Sequence, residues 1–598
     1  MTQCYLPTGN EWVSLPTLRE EDGALESFSF LHMGCKGLIE QRGSSALPLI
    51  APFFEVAGAE IPLQALTWTR EGHWIPTFRG IAGPLAVEGT VLAPVEERGF
   101  AYRLAVENPT PAVAELSFGL KGCWASSWHC VNQDKEIDGK KYCYPSGWNE
   151  SLIFDLRCGL PLFAFAPMTD LPCSSAVQET DDGIRYRLAH DCVLESGQSV
   201  TVTFYWGVGF EEVAAATSAK EMLRQGWQGE LDRTLAWLEA RRWPIADPRL
   251  DRLYHTNLFF CLFYAAGRTL DTEELVLVTS RSTRYYVSAA YWDRDSLLWA
   301  FPAVLDADPA LAREMLDYVF GRQGRNFGVH SRYIDGTVLE PGFELDELMA
   351  PVLALDRYVA ATGDRDYLAD GAIRAGLAGI LRTLATKRHK IISLYETFLQ
   401  PTDDEIVYPY LTYNNVLVWY ALHALARLFP ASYGHLAAHA EAVKAAIYRH
   451  CVVQDAEGQK VFAWSVDLAG RHNLYDEPPG SLQLLPYYGF CSQSDPIWRN
   501  TAALIRSPAY SYSFANSPVA EIGCAHAPYP WILSLCNSLL SGHAAQAFQE
   551  LSWIEMDNGI ACESVDPITG CCTTGAAFAT CAGFLCHSMK YARKERLP

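Results

Sequence analysis

The sequence predicts an α+β chain of two domains, an N-terminal β-sandwich followed by an (α/α)6 barrel. Three observations carry that prediction. Residues from about 20 to 210 alternate apolar and polar side chains with period two, and residues from about 248 onward recur with helical spacing. The helical segments themselves alternate between amphipathic and apolar on every side.

The stretch "FAYRLAVENPTPAVAELSFGL" sets Tyr102, Leu104 and Val106 on one face, turns, and continues through Val113, Leu116 and Phe118. "SVTVTFYWGVGF" does the same with Val200, Val202, Phe204 and Trp206. Short strands separated by Pro, Gly and Asn turns predict a sandwich, with Trp124 and Trp128 of "GCWASSWHCVNQ" in its core. From "GFEEVAAATSAKEML" the spacing becomes helical, so the predicted division is a β-domain over 1–212, a helical linker over 213–247 and a helical domain over 248–598.

Helices are predicted over 249–266, 295–306, 309–322, 346–362, 366–386, 411–428, 434–451, 525–540, 543–556 and 574–590. "ALAREMLDYVFGRQ" is amphipathic, whereas "TGAAFATCAGFLCHSM" is small and apolar nearly all round. A helix apolar on every side must be buried among helices. An outer ring wrapping an inner ring meets that demand, and six pairs make an (α/α)6 barrel. A solenoid would need a repeated sequence, and none is present.

Composition narrows the function. The 598 residues are 49% hydrophobic and 12% aromatic, enough for large cores. A net charge of −22, from 69 acidic against 47 basic residues, disfavours nucleic acid and anionic lipid as partners and leaves a neutral ligand. The start "MTQCYLPTGNEWVSLPTL" has neither the basic nor the apolar region of a secretory signal, and no later run is apolar enough to span a membrane. The expectation is a soluble, cytoplasmic protein. The 18 cysteines are scattered, often inside apolar runs, and read as reduced thiols. Cys562, Cys571 and Cys572 form no CxxC pair, so no metal is expected. With no nucleotide-binding loop either, no cofactor is expected.

Polar and aromatic residues gather in five segments, each just before or at the start of an apolar helix: "YYVSAAYWDRDS", "HSRYIDGTVLEPGFELDE", "PTDDEIVYPYLTYNN", "EIGCAHAPYPW" and "MDNGIACESVDPITG". If those helices form the inner ring, the five segments meet at one mouth. Such a pocket suits a sugar, which offers CH faces to aromatic rings and hydroxyls to charged groups and amides. The expected ligand is therefore an oligosaccharide or glycoside. The binding candidates are Trp292, Asp293, Arg294, Asp295, His330, Arg332, Tyr333, Glu344, Glu347, Tyr413, Asn414, Asn415, His526 and Trp531.

Cleaving a glycosidic bond needs one protonated carboxyl group for the leaving oxygen and one ionised carboxylate on the other face of the ring. Burial and neighbouring carboxylates both help an acid keep its proton. Asp346 meets those conditions, with Phe343, Leu345, Leu348 and Met349 around it and Glu344 and Glu347 close in sequence. Glu563 in "ACESVDP" is the candidate base. A carboxylate at a helix start also serves as a cap or dipole partner, and His330 and His526 have equally ordinary structural readings.

Three runs then carry a resemblance: "WDRDS" at 292–296, "FELDEL" at 343–348 and "CES" at 562–564. In this order the region from about 285 to 590 resembles the metal-independent exo-α-mannosidases of glycoside hydrolase family 125. More loosely, it is similar to the six-hairpin glucosidases and glycogen-debranching amylo-α-1,6-glucosidases. The resemblance implies Asp346 as general acid, Glu563 as general base, Arg294 and Asp295 around the terminal sugar, and single-step inversion without a metal. It implies exo action on an α-mannoside or α-glucoside. The chain departs from the mannosidase pattern at Cys562, where that family has histidine, and at Glu347, where it has serine. An inverting phosphorylase and a non-catalytic carbohydrate-binding protein are the rival readings. The sequence is silent on oligomeric state.

Overall fold

The computed structural model describes residues 3–594 except 148, 150 and 159, and divides into two compact units. The first comprises 1–243, 266–276 and 281–289, and the second 244–265, 277–280 and 290–598. This differs from the division read in the sequence. Residues 213–247 do not form a linker between domains, because helix α1 (Glu212–Glu239) lies on strands Ser199–Gly209 and Leu160–Thr169 of the first unit. Ala215 and Ala216 pack there against Ile153, Ala164 and Ala166. Small residues on both sides let the helix approach the sheet closely, and Gly207 faces the backbone of Ala215 and Ala219.

Three antiparallel sheets of six, eight and five strands make up the rest of the first unit. Strand Gly99–Glu107 pairs with Ser199–Gly209 so that Tyr102 faces Phe204, Leu104 faces Val202 and Val106 faces Val200. Because side chains alternate with period two, this register puts the whole apolar set on one face. There they join Phe28, Phe30, Trp124, Phe154, Phe165 and Trp206 in one core. Val113 departs from its predicted place: it precedes strand Ala114–Trp124 and is 62% exposed. Its spacing of three from Leu116 is incompatible with a common strand face. Trp128 lies at the surface of the sheet, beneath the Arg42 guanidinium.

The second unit is helical. It contains α2 (Pro248–Tyr264), a π-helical turn Arg294–Ala300, α3 (Phe301–Ala307), α4 (Pro309–Gly321), α5 (Leu345–Thr362) and α6 (Gly371–Thr386). It continues with α7 (Thr412–Leu428), α8 (Pro430–Tyr433), α9 (Leu436–His450), α10 (Pro496–Ile505), α11 (Ile532–Leu540), α12 (Ala544–Leu551) and α13 (Ala579–Lys594). Burial alternates along the chain. Helices α5, α7 and α11 are buried over most of their length, whereas α4, α6, α9, α10 and α12 bury one face. The π-helical turn packs on α5, α5 on α7, α11 on α13, and α13 back on the π-helical turn and α3. Among the described residues no helix is long and apolar enough to cross a membrane. All 18 cysteines are free thiols.

Several helices are shorter than predicted, for local reasons. The segment 525–540 is helical only from Ile532, because Pro528 and Pro530 lack the N–H groups a helix would use. The predicted 574–590 helix begins at Ala579, since Cys572–Thr574 is a strand paired with Ser564–Val565. Residues 366–386 break at Asp370, whose carboxylate caps the backbone N–H groups of Ala372 and Ile373. The predicted 295–306 helix is π-helical in its first part. The Phe301 N–H donates to the Ser296 carbonyl, and Pro302 has no N–H to offer to the regular ladder.

Candidate active site

The π-helical turn carries Arg294 into the second unit, where its side chain is 2% exposed. Nη1 donates to Glu344 at 2.5 Å and to Asp346 at 3.1 Å, and Nη2 to Asp403 at 2.5 Å. The start of helix α5 supplies the first two acids, Glu344 as its N-cap residue and Asp346 from its first turn. Its start carries acids because the backbone N–H groups there favour negative charge. One guanidinium thus holds three carboxylates from two segments. The Trp299 ring lies 5.7 Å from the Arg294 guanidinium and excludes water from one side.

Asp346 is fully buried and also accepts a hydrogen bond from Asn414 Nδ2 at 3.2 Å, from the first turn of α7. Glu344 binds His330 Nδ1 on its other oxygen. Burial pushes Glu344 up to about 7 against the opposing pull of Arg294. Burial is the largest influence on His330 and opposes its charge, yet the hydrogen bond to Glu344 and the nearby Asp403 and Glu344 charges together outweigh it and raise that pKa. His330, Glu344 and Asp403 offer ligand atoms within 4.8 Å of one another, a spacing that suits a cation, but the Arg294 guanidinium already contacts both carboxylates.

Glu347 faces the other way. It accepts from the backbone N–H groups of Asp293 and Arg294, at 2.5 and 2.9 Å, and so caps the π-helical turn. Arg332 pairs with Asp293, which also accepts from Tyr291 Oη at 2.5 Å. Asp293, Arg332 and Glu347 therefore form an internal network, with every charged side chain at 0% exposure. Asp295 accepts from Thr580 Oγ1 at 3.0 Å, and burial pushes it up to about 7.

Glu563 is 3% exposed and stands at the start of a two-stranded hairpin, where it accepts from Thr574 Oγ1 at 2.7 Å. Its backbone is held on both sides, by the Gly575 carbonyl and by the Ile532 N–H, each at 3.0 Å. The second bond ties the hairpin to the start of α11, next to Trp531, whose indole donates to the Ala527 carbonyl at 2.9 Å. The buried Cys581 thiol lies within electrostatic reach of both Asp295 and Glu563. Arg294 Nε also lies 3.8 Å from Asp295, so Asp346 and Asp295 share one cation.

The other predicted residues divide by what their polar atoms touch. Trp292 is buried with its ring edge against His330. Tyr413 is buried, and its hydroxyl lies 3.1 Å from that of Tyr488. Asn415 directs its amide to backbone, giving to Tyr395 and Leu411 carbonyls and accepting from the Tyr395 N–H. Tyr333 is half-buried, and its backbone closes a turn with Thr337. His526 is exposed and reaches Asp404 at 3.3 Å.

Four participants escaped the sequence reading: Asp403, Thr574, Thr580 and Glu477. Glu477 is fully buried, accepts from Thr402 Oγ1 at 2.8 Å, and burial raises its pKa well above the usual carboxylate range. The run "PTDDEIVYPYLTYNN" holds Thr402 and Asp403 and offered the one available signal, two acids before a buried helix.

Residues 385–587 match the family model for metal-independent α-mannosidases, glycoside hydrolase family 125. The meiotically up-regulated gene 157 protein of Schizosaccharomyces pombe is 30% identical over 142 residues, which is 22% of this chain and 28% of that protein. The chain thus spans under a third of that curated relative. Among solved structures, a bacterial glucoamylase complexed with acarbose superposes with a TM-score of 0.66 at 11% identity, over 99% of this chain and 95% of its own. A putative kojibiose phosphorylase from the human microbiome gives 0.61 at 10% identity, over 98% and 86%. A Streptococcus pneumoniae metal-independent α-mannosidase, in a non-productive complex with α-1,6-mannobiose, gives 0.52 at 18% identity. It covers 62% of this chain and 99% of its own. Residues 385–587 are thus similar to the metal-independent α-mannosidases of glycoside hydrolase family 125, and along nearly its whole length the chain shares the fold of the glucoamylase and phosphorylase structures.

Proposed function

We propose that the protein is an exo-acting, inverting α-glycoside hydrolase that works without a metal, and that its second unit is an (α/α)6 barrel. The observation that carries this reading is the buried Arg294 hub, which holds Asp346 on α5 and lies 3.8 Å from Asp295, while the Cys581 thiol lies within electrostatic reach of both Asp295 and Glu563. Asp346 would protonate the leaving oxygen, and Glu563 would take a proton from the attacking water on the opposite face of the sugar. The water's oxygen then bonds to the anomeric carbon as the glycosidic bond breaks, with inversion. Thr574 and the two backbone bonds hold Glu563 in place. An α-mannoside is the first substrate to try, since the family match includes Glu563, and an α-glucoside the second. Free thiols throughout suit a cytoplasmic enzyme.

The test is hydrolysis of aryl α-mannoside, aryl α-glucoside and α-linked disaccharides, with EDTA present and the first-formed anomer followed by NMR. Release of β-sugar is expected, with Asp346→Asn and Glu563→Gln each slowed about 10³-fold or more. Turnover that requires added phosphate would point to a phosphorylase, as would sugar 1-phosphate among the products. Unchanged rates in both variants would remove these residues from the mechanism.

A further inference from the structure

Five carboxylates surround Arg294, and four of them are shut away: Glu344, Asp346 and Glu347 are 0% exposed and Asp295 is 7% exposed. Asp403 is the exception at 37%. A ligand approaching the cluster from solvent therefore meets Asp403 first. Its Oδ1 is engaged by Arg294 Nη2 at 2.5 Å and lies 3.6 Å from His330 Nδ1. Among the described residues Oδ2 has no hydrogen-bond donor, so an acceptor stands open to solvent beside a fixed cation.

The backbone at this position is unusual. Asp403 has φ of +70°, a left-handed conformation that most residues avoid and that Asp and Asn tolerate best. The loop is braced on either side of it. Thr402 Oγ1 donates to the buried Glu477 at 2.8 Å, the Asp403 N–H donates to the Gln400 carbonyl at 2.8 Å, and Asp404 meets His526 at 3.3 Å. Gln400 in turn accepts from the Trp464 indole at 3.2 Å. The neighbouring Glu477 turn is itself tightly seated, with Gly480 pressed against Pro401 and Tyr413. The loop thus aims one carboxylate with little freedom to move.

We infer that Asp403 is a specificity-determining, substrate-binding residue, whose free carboxylate oxygen accepts a hydrogen bond from one hydroxyl of the terminal sugar. Arg294 holds one oxygen of the carboxylate, so the sugar meets an acceptor already anchored beside a cation. The inference rests on the glycoside reading above and adds to it the group that reads a single hydroxyl. A hydrogen bond to a charged acceptor is strong enough to discriminate between epimers.

The test compares wild type, Asp403→Asn and Asp403→Ala on the parent aryl glycoside and on analogues lacking one hydroxyl each. Asn keeps the left-handed backbone and the size of the side chain but loses the charge. For one analogue, the wild type should lose about 10- to 100-fold in kcat/KM relative to the parent. In Asp403→Asn that loss should shrink to within about 3-fold, with the penalties of the other analogues unchanged. Equal penalties in wild type and variant at every position would overturn the inference, as would an unaltered kcat/KM in Asp403→Asn. Should the wild type hydrolyse nothing, the hydrolase reading falls, and calorimetric titration with the same parent glycoside and deoxy analogues decides Asp403 by the same comparison. No glycoside binding by the wild type would overturn both.

Discussion

At the scale of single residues, the site is built from charges that would be costly alone. Arg332 and Asp293 are both wholly buried and pair with each other, and Tyr291 Oη donates to the other Asp293 oxygen. Removing Arg332 leaves the buried Asp293 and Glu347 carboxylates without this cation. Arg332→Met is therefore expected to destabilise the protein by about 3–5 kcal/mol, seen as a lower denaturation midpoint. Adding Asp293→Asn should recover part of that loss, and strict additivity of the two changes would remove the pair from the account. Sequence reading placed both residues in the site as sugar ligands, since a buried Arg–Asp pair and a sugar-binding Arg–Asp pair have the same composition. Asn415 is a comparable case: it sits beside Asn414 in the sequence, yet one amide binds backbone and the other reaches Asp346.

At the scale of elements, close helix packing positions the π-helical turn that bears Arg294. A Cβ added at Gly583 on α13 would lie 2.8 Å from Ala300 Cα in the π-helical turn and 2.7 Å from Cys261 Sγ on α2. Gly583→Ala is expected to cost about 1–3 kcal/mol through overpacking. The turn it displaces carries Arg294, so kcat/KM should fall with the thermal midpoint. An alanine variant as stable and as active as wild type would show that this contact does not position the turn. The π-helical geometry was not legible, because "RDSLLWAFPAV" has ordinary helical spacing and only the Phe301 to Ser296 hydrogen bond reveals the extra residue. The late start of α11 was legible in principle, since Pro528 and Pro530 stand in plain view.

At the scale of the whole molecule, buried acids tie stability to pH. Burial pushes Asp295, Glu344 and Asp476 each up to about 7. A folded-state pKa above the unfolded value means that the folded protein binds the proton more tightly. That stabilisation is complete below about pH 4 and is lost as pH rises toward and through 7. These groups should therefore make the protein less stable at pH 8 than at pH 5, by an amount on the order of a few kcal/mol for each. Asp476 isolates the effect, since it accepts from Ser481 and the Leu482 N–H and no cation offsets its burial. Asp476→Asn should flatten the fall in thermal midpoint between pH 5 and 8. A profile as steep as that of wild type would remove Asp476 as a source.

The sequence by itself determined which faces are buried, because a period of two or 3.6 leaves no choice of side once the apolar residues are in place. Tyr102, Leu104 and Val106 could only go inward, and α11 could only go to the interior. It also determined that acids would stand at the start of α5. What the tertiary structure alone decided is which of those acids share a cation, which lock the backbone and which remain open to solvent. Glu344, Asp346 and Glu347 lie within four positions of one another, yet two meet Arg294 Nη1 and the third caps the turn that bears it. Asp403 and Arg294 are 109 positions apart, and nothing local to either names the other. Pairing between charges depends on distance and dielectric in three dimensions, whereas burial of a helix face is fixed by local periodicity.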